Sequence, residues 1–221
     1  MNSDTATSAR QANAWDLVLR LAETDGVANH AHVRALLDGR VEQRDLADAV
    51  HGLCVVHGRY PGMIDAALNR GAQRAAHDWL EAASRAFANE RAYLTRLTAA
   101  VGPLPSTPGQ AVAEGAFAAQ RHALEMLAGS DRGGCATGAV AALMLDWHAT
   151  RRVLDRAAER FGETPPAERL PDDAETAMVI AGLGDTPACE RAIVFGAQQL
   201  FAQHRGFWDL LDARCSARDR A

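Results

Sequence analysis

Between Gly129 and Phe161 the chain reads GSDRGGCATGAVAALMLDWHATRRVLDRAAERF, and this stretch constrains the fold more than any other. A loop of glycines and charges leads into Gly138–Leu145, which carries no charge at all. Beyond it, apolar or small residues recur at Val140, Leu143, Trp147, Thr150, Leu154, Ala157 and Phe161. Arg151, Arg152, Asp155, Arg156, Glu159 and Arg160 fill the other side. Spacing of three and four predicts one long helix. Its first half is apolar all round and must be surrounded by protein, so it is expected to be the central helix of a bundle. Val140, Met144, Trp147 and Leu154 are expected on its interior face. At its entrance Gly133, Gly134 and Gly138 carry no side chain, so a neighbouring helix or a flat ligand could approach the backbone closely.

The flanking sequence breaks into further helical segments. Trp15, Val18, Leu21 and Ala22 mark a short helix ending near Asp25-Gly26, and Asn29 is the expected N-cap of the next, stopped at Gly39. A helix follows over Asp45–Val56, ended by the Tyr60-Pro61 bend. The pattern resumes over Gly62–Phe87, with a separate piece over Glu90–Ala100. Thr107-Pro108-Gly109-Gln110 has the form of a capping box opening a helix to Leu127. Asp172-Asp173-Ala174-Glu175 opens a short helix ending at Gly182, and Asp185-Thr186-Pro187 opens the last, reaching about Ala213. No window alternates with a period of two. The expectation is an all-α, single-domain bundle of eight or nine helices over residues 13–214, with a fraying segment at 1–12 and a tail at 215–221.

Composition narrows the chemistry. The chain of 221 residues is 48% hydrophobic but only 5% aromatic, so its core must be mostly Ala, Leu and Val. All 23 basic residues are Arg, which excludes a Schiff-base lysine and a Walker-type phosphate loop. A net charge of −5 with no basic run argues against a nucleic-acid partner. No apolar stretch reaches the ~18 residues a membrane span needs, and no signal-peptide core opens the chain, so no membrane partner is expected. Cys54, Cys135, Cys189 and Cys215 are scattered without a C-x-x-C pair; reduced thiols and a cytoplasmic location are expected.

Eight histidines are the obvious candidates for chemistry. His30 and His32 lie two apart on a helix, so only one can face the core, and the pattern fits either. His77 with Glu81 and His122 with Glu125 have spacings that suit a metal or, more simply, a solvated pair. Asp146 lies between Leu145 and Trp147 and needs a partner if it faces inward. His204, in QQLFAQHRGFWDLL, could face the same interior. No H-E-x-x-H, E-x-x-H, G-x-S-x-G or G-x-G-x-x-G occurs.

Two segments together resemble the haem-oxygenase-like superfamily. The first is HAHVRALLDGRVEQRDLADAVHGLCVVHGRYPGMIDAAL, His30 to Leu68, similar to that fold's opening helices. The second is LEMLAGSDRGGCATGAV, Leu124 to Val140, similar to the L-E-G-S-x-x-G-G segment of bacterial haem oxygenases. Phe207-Trp208 resembles the aromatic pair in the last helix of the TenA branch. The resemblance implies haem as cofactor, His30 as its axial ligand with His32 second, and Gly133, Gly134 and Gly138 as the distal glycines. It also implies oxidative haem cleavage fed by an electron-donor protein. The chain departs from that pattern at Ala128, where the family has Glu. The TenA P-C-E-W segment falls on Met144-Leu145-Asp146-Trp147, with leucine at the nucleophile, which makes thiaminase chemistry unexpected. The di-iron branch implies non-haem iron, with His77, Glu81, His122, Asp146 and His204 as the available ligands. The remaining expectation is a non-catalytic scaffold of this fold that binds a small apolar ligand or a partner.

Overall fold

The computed structural model describes residues 13–71 and 73–221, so the expected fraying of Met1–Ala12 lies outside the described residues. Nine α-helices and two short 3-10 turns make up the described chain, in an all-α bundle. Helix α1, Ala14–Asp25, starts at Asn13, whose side chain accepts from the Asp16 amide while Asp16 accepts from the Asn13 amide. A 3-10 turn over Val27–Asn29 follows, so the N-cap of α2, Ala31–Leu37, is His30 and not the expected Asn29. Helix α3 spans Gln43–His57 and ends ahead of a cis Tyr60–Pro61 bond.

Where one helix was expected over Gly62–Phe87, the chain makes α4, Met63–Arg70, and breaks at Gly71 in the left-handed region (φ 61°). Helix α5 then runs unbroken over His77–Ala100 and absorbs the piece expected separately at Glu90. Only glycine takes that conformation without strain, which fixes the break at Gly71; nothing at Ala88-Asn89 is strong enough to stop a helix. Helix α6, Gln110–Ala128, starts after Gly109 with no side-chain cap. The box expected at Thr107 does not form because the Thr107 hydroxyl is turned toward Arg214 and Arg218. Helix α7 is Cys135–Phe161 and α8 is Asp173–Leu183, capped by Asp172. Helix α9, Pro187–Asp219, is capped by Thr186 and continues through the expected tail.

Helix α7 is the axis of the bundle and touches all eight other α-helices. Val140, Met144, Trp147 and Leu154 are all buried, as the spacing predicts, and one continuous apolar core surrounds them. Its longest partner is α9. At their crossing Gly138 and Gly196 replace side chains with backbone: a Cβ on Gly138 would lie 2.1 Å from the Ile193 carbonyl oxygen.

A buried ion network ties α9 to α3. Arg214 donates to both oxygens of Asp48, at 2.8 Å each, and Arg218 pairs with Asp45 and Asp48 at 2.6 Å. Thr107 accepts from both arginines, which clamps the loop ahead of α6 to the same centre. Two carboxylates against two guanidiniums leave no net charge inside, the condition for burying any of them.

Candidate functional site

The expected site residues separate into three places. His30 caps α2 through its Nδ1, which accepts from the His32 amide, while its Nε2 meets Asp209 at 3.0 Å. His32 is the inward-facing member of the pair; it is buried beside Asp212 at 3.3 Å. Burial lowers its pKa, and the Asp212 carboxylate opposes that shift.

The glycines lie far from both histidines. A Cβ on Gly134 would meet the Ile193 side chain at 2.8 Å, and Gly138 abuts the Ile193 backbone, so α9 already covers the face a flat ligand would use. Ile193 and Asp209 are separated by 16 positions of one helix, about 24 Å along its axis. An iron bound to His30 therefore could not also lie beneath the Gly134–Gly138 backbone. The residues present do not fit haem between these two sets.

Of the di-iron candidates only Asp146 and His204 come together. His77 is exposed beside Asp78, Glu81 pairs with Arg85, and exposed His122 lies 3.6 Å from Glu125. Among the described residues no group of three His, Cys, Asp or Glu is placed to hold a metal ion.

Asp146 and His204 belong to a polar centre inside the bundle. Asp146 on α7 is buried and accepts twice, from the Val27 amide at 2.9 Å and from Nδ1 of His204 at 2.9 Å. The partner that its place between Leu145 and Trp147 demands is thus a histidine of α9. Next to His204 stands His57, the last residue of α3, with ring centres 5.2 Å apart and planes at 87°. Phe87 and Trp147 enclose His57 on its other sides. Burial and the neighbouring His204 hold the His57 pKa well below that of a free imidazole.

One turn further along α7 the centre becomes ionic. Glu90 of α5 accepts from the Trp147 indole at 2.9 Å and from Arg151 at 2.7 Å. Burial pushes the Glu90 carboxyl up, against the two donors that hold it ionised. Arg151 also reaches Asp155 at 2.7 Å and lies over the Tyr93 ring at 4.7 Å. Both oxygens of Asp146 and both of Glu90 therefore accept from protein donors. His57 and Glu90 were not among the expected site residues. The signal for both was a polar residue on an apolar stripe: Val50, Leu53 and His57 in α3; Phe87, Glu90 and Leu94 in α5.

The third place is a groove of about 490 Å³ where the Gly129–Asp131 loop meets α6 and α9. Ala123, Met126 and Leu127 of α6 line one side, Phe195, Gln199 and Gln203 of α9 the other. Met126 is 64% exposed and Phe195 41% exposed. Arg132 from the loop lies over the Phe195 ring at 5.6 Å and holds it in place.

The fold and these sites define an all-α helical bundle with a buried histidine–carboxylate centre and a separate open groove at the entrance of its central helix. The chain belongs to the family of unknown function DUF6975, whose model matches residues 22–219. No curated protein and no solved structure matches it.

Proposed function

We propose that this chain is a non-catalytic scaffold of the haem-oxygenase-like kind, and that it binds a small, largely apolar molecule in the groove between α6 and α9. The observation that carries the reading is the pair Met126 and Phe195, two large apolar side chains left open to solvent on facing walls of one groove. Its volume lies within the range of small-molecule sites, and its composition is theirs too: apolar walls with a few amides and a hydroxyl to orient the ligand. Gln199, Gln203 and Ser130 supply those polar groups. The haem-oxygenase-like assignment is supported by the two resembling segments, His30–Leu68 and Leu124–Val140, and the second of these forms part of the groove. Unpaired thiols at Cys54, Cys135, Cys189 and Cys215 support a reducing, cytoplasmic setting.

The test is a titration with 1-anilinonaphthalene-8-sulfonate, a fluorescent apolar probe. Saturable binding at one site, lost in Phe195→Ser and Met126→Glu with the melting temperature unchanged, supports the groove. Binding that never saturates, or that ignores both substitutions, removes it. A parallel haemin titration decides the rival reading: a Soret band sharpened by the native protein and abolished only by His30→Ala would restore haem as the ligand.

A further inference from the structure

Along α9 the groove between α6 and α9 runs from an arginine to a pair of amides. Arg191, Phe195, Gln199 and Gln203 follow one another at four-residue spacing, so the stretch from Phe195 to Gln203 is about 12 Å long. Arg191 thus stands one turn before Phe195, and Arg132 lies over the Phe195 ring at 5.6 Å. Both arginines are exposed. Among the described residues neither pairs with a carboxylate, whereas the acids close by are already taken. Asp131, on the lining, pairs with Arg70, and Glu125, next to Met126, pairs with Arg121. Glu190 stands beside Gly184 at the end of α8 instead. A chain of net charge −5 therefore keeps two uncompensated guanidiniums at one end of an apolar groove.

We infer that the ligand of this groove is an aromatic acid, a flat apolar body with a carboxylate at one end, a conclusion that rests on the groove being the binding site. The anion is placed by Arg132 and Arg191, whose planar guanidiniums match a carboxylate and have no other acid to hold. Ser130 adds a third donor there: its hydroxyl oxygen accepts from the Arg132 amide at 3.3 Å, which leaves its own proton to give. The body is placed by the Phe195 ring and the Met126 thioether on facing walls, because both sulfur and ring favour an aromatic partner. A rigid ring also loses less freedom on binding than a flexible chain of the same area. At the far end the Gln199 and Gln203 carboxamides can each donate and accept, which suits a hydroxyl or carbonyl on the opposite edge of the ligand. A cation fits poorly, since it meets two unpaired guanidiniums while the one acid on the lining is held by Arg70.

The experiment is calorimetric titration of the whole chain at neutral pH with four probes: naphthoate, its uncharged amide, naphthylmethylammonium, and decanoate as a flexible acid. Naphthoate should bind about tenfold more tightly than the amide, the gain expected from two exposed charge pairs. Arg132→Gln and Arg191→Gln should each weaken naphthoate about threefold to fivefold and leave the amide unchanged. Added salt should weaken naphthoate and not the amide, because both arginines are exposed. Phe195→Ser should remove binding of both, and an unchanged melting temperature checks that each variant is folded. Equal affinity for naphthoate and its amide, with both lost in Phe195→Ser, would overturn the acid and keep the groove. Tighter binding of the ammonium would overturn it as well, and would make Asp131 the recognising group. Decanoate binding as tightly as naphthoate would overturn the aromatic body. Binding of none of the four, with anilinonaphthalenesulfonate fluorescence that ignores Phe195→Ser, would remove the groove itself.

Discussion

Gly138 of α7 and Gly196 of α9 lie against each other's helix so closely that a methyl group on either would overlap backbone. Its Cβ would be 2.1 Å from the Ile193 oxygen in one case and 1.9 Å from the Cys135 oxygen in the other. Neither carbonyl can swing aside, because both are hydrogen-bonded parts of a helix. Gly134 and Gly138 are therefore explained by a second helix, the alternative to a flat ligand that their sequence context allows, whereas a Cβ on Gly133 would have nothing within 4 Å.

Alanine at either position should lower stability by about 3 kcal/mol, at the upper end of overpacking costs. The helix-propensity gain of roughly 1 kcal/mol from Gly to Ala opposes this and loses to the clash. For a chain of this size the melting temperature should drop by about 6–12 °C. Gly115 in mid-α6, where an added Cβ would have nothing within 4 Å, is the control: Gly115→Ala should raise stability by up to about 1 kcal/mol. Equal behaviour of Gly138→Ala and Gly115→Ala in a thermal melt would show that the crossing is not tight.

The Asp45–Asp48–Arg214–Arg218 network makes a separate prediction. Asp48→Ala leaves two guanidiniums facing one carboxylate in the core, and removal of one member of a buried pair costs about 3–5 kcal/mol. The double variant Asp48→Ala with Arg214→Ala should lose less than the two single changes added together, because it removes the stranded charge along with its partner. Additive losses in urea denaturation would mean that the two residues do not interact. Deleting residues 214–221 strips both arginines from Asp45 and Asp48, and should destabilise the chain at least as much as Asp48→Ala.

That deletion bears on how far the sequence could be read. The all-α class, the axial role of the central helix and its buried face were all legible, because each follows from spacing along one segment. The end of α9 was not. Arg214 and Arg218 look like surface residues on a charged tail, and only their pairing with Asp45 and Asp48, more than 160 positions away in sequence, makes them buried. The candidate site divides in the same way. Asp146 announces its need for a partner by its apolar neighbours, yet nothing local says that His204 is the partner or that His57 stands beside it. Glu90 sits on the core stripe of α5, where a charge should have drawn notice; reading it as the start of a new helix placed it at an end, where charge is commonplace.

His32 gives a pH test. Its folded pKa is lowered, chiefly by burial, while in the unfolded chain it returns to about 6.5. The unfolded state then binds the proton more readily, so the contribution of His32 favours the native state above pH 6.5 and is lost as pH falls below it, down to the lowered native pKa. His32→Phe keeps a ring in the space and removes the titration. Measured by urea midpoints between pH 5.5 and 8, the variant should gain on the native protein as the pH drops. A constant gap across that range would mean that the two states share one pKa.

The last prediction concerns a thiol. Cys215 sits on α9 beside the ion network, and its pKa is pushed up to about 11 by burial first and then by the carboxylates of Asp45 and Asp219. The thiolate is the nucleophile, so at pH 8 the Cys215 side chain should be nearly all thiol and slow to alkylate, although it is only partly covered. Its iodoacetamide rate, followed by peptide mass spectrometry, should keep rising beyond pH 9 and reach half its maximum only near pH 11. An ordinary thiol reaches half its maximum at about pH 8.5. Asp219→Asn removes one of the opposing charges and should move the midpoint down without exposing the sulfur further. A Cys215 profile with its midpoint already near pH 8.5 in the native protein would mean that the carboxylates of this end of α9 do not face the thiol in solution.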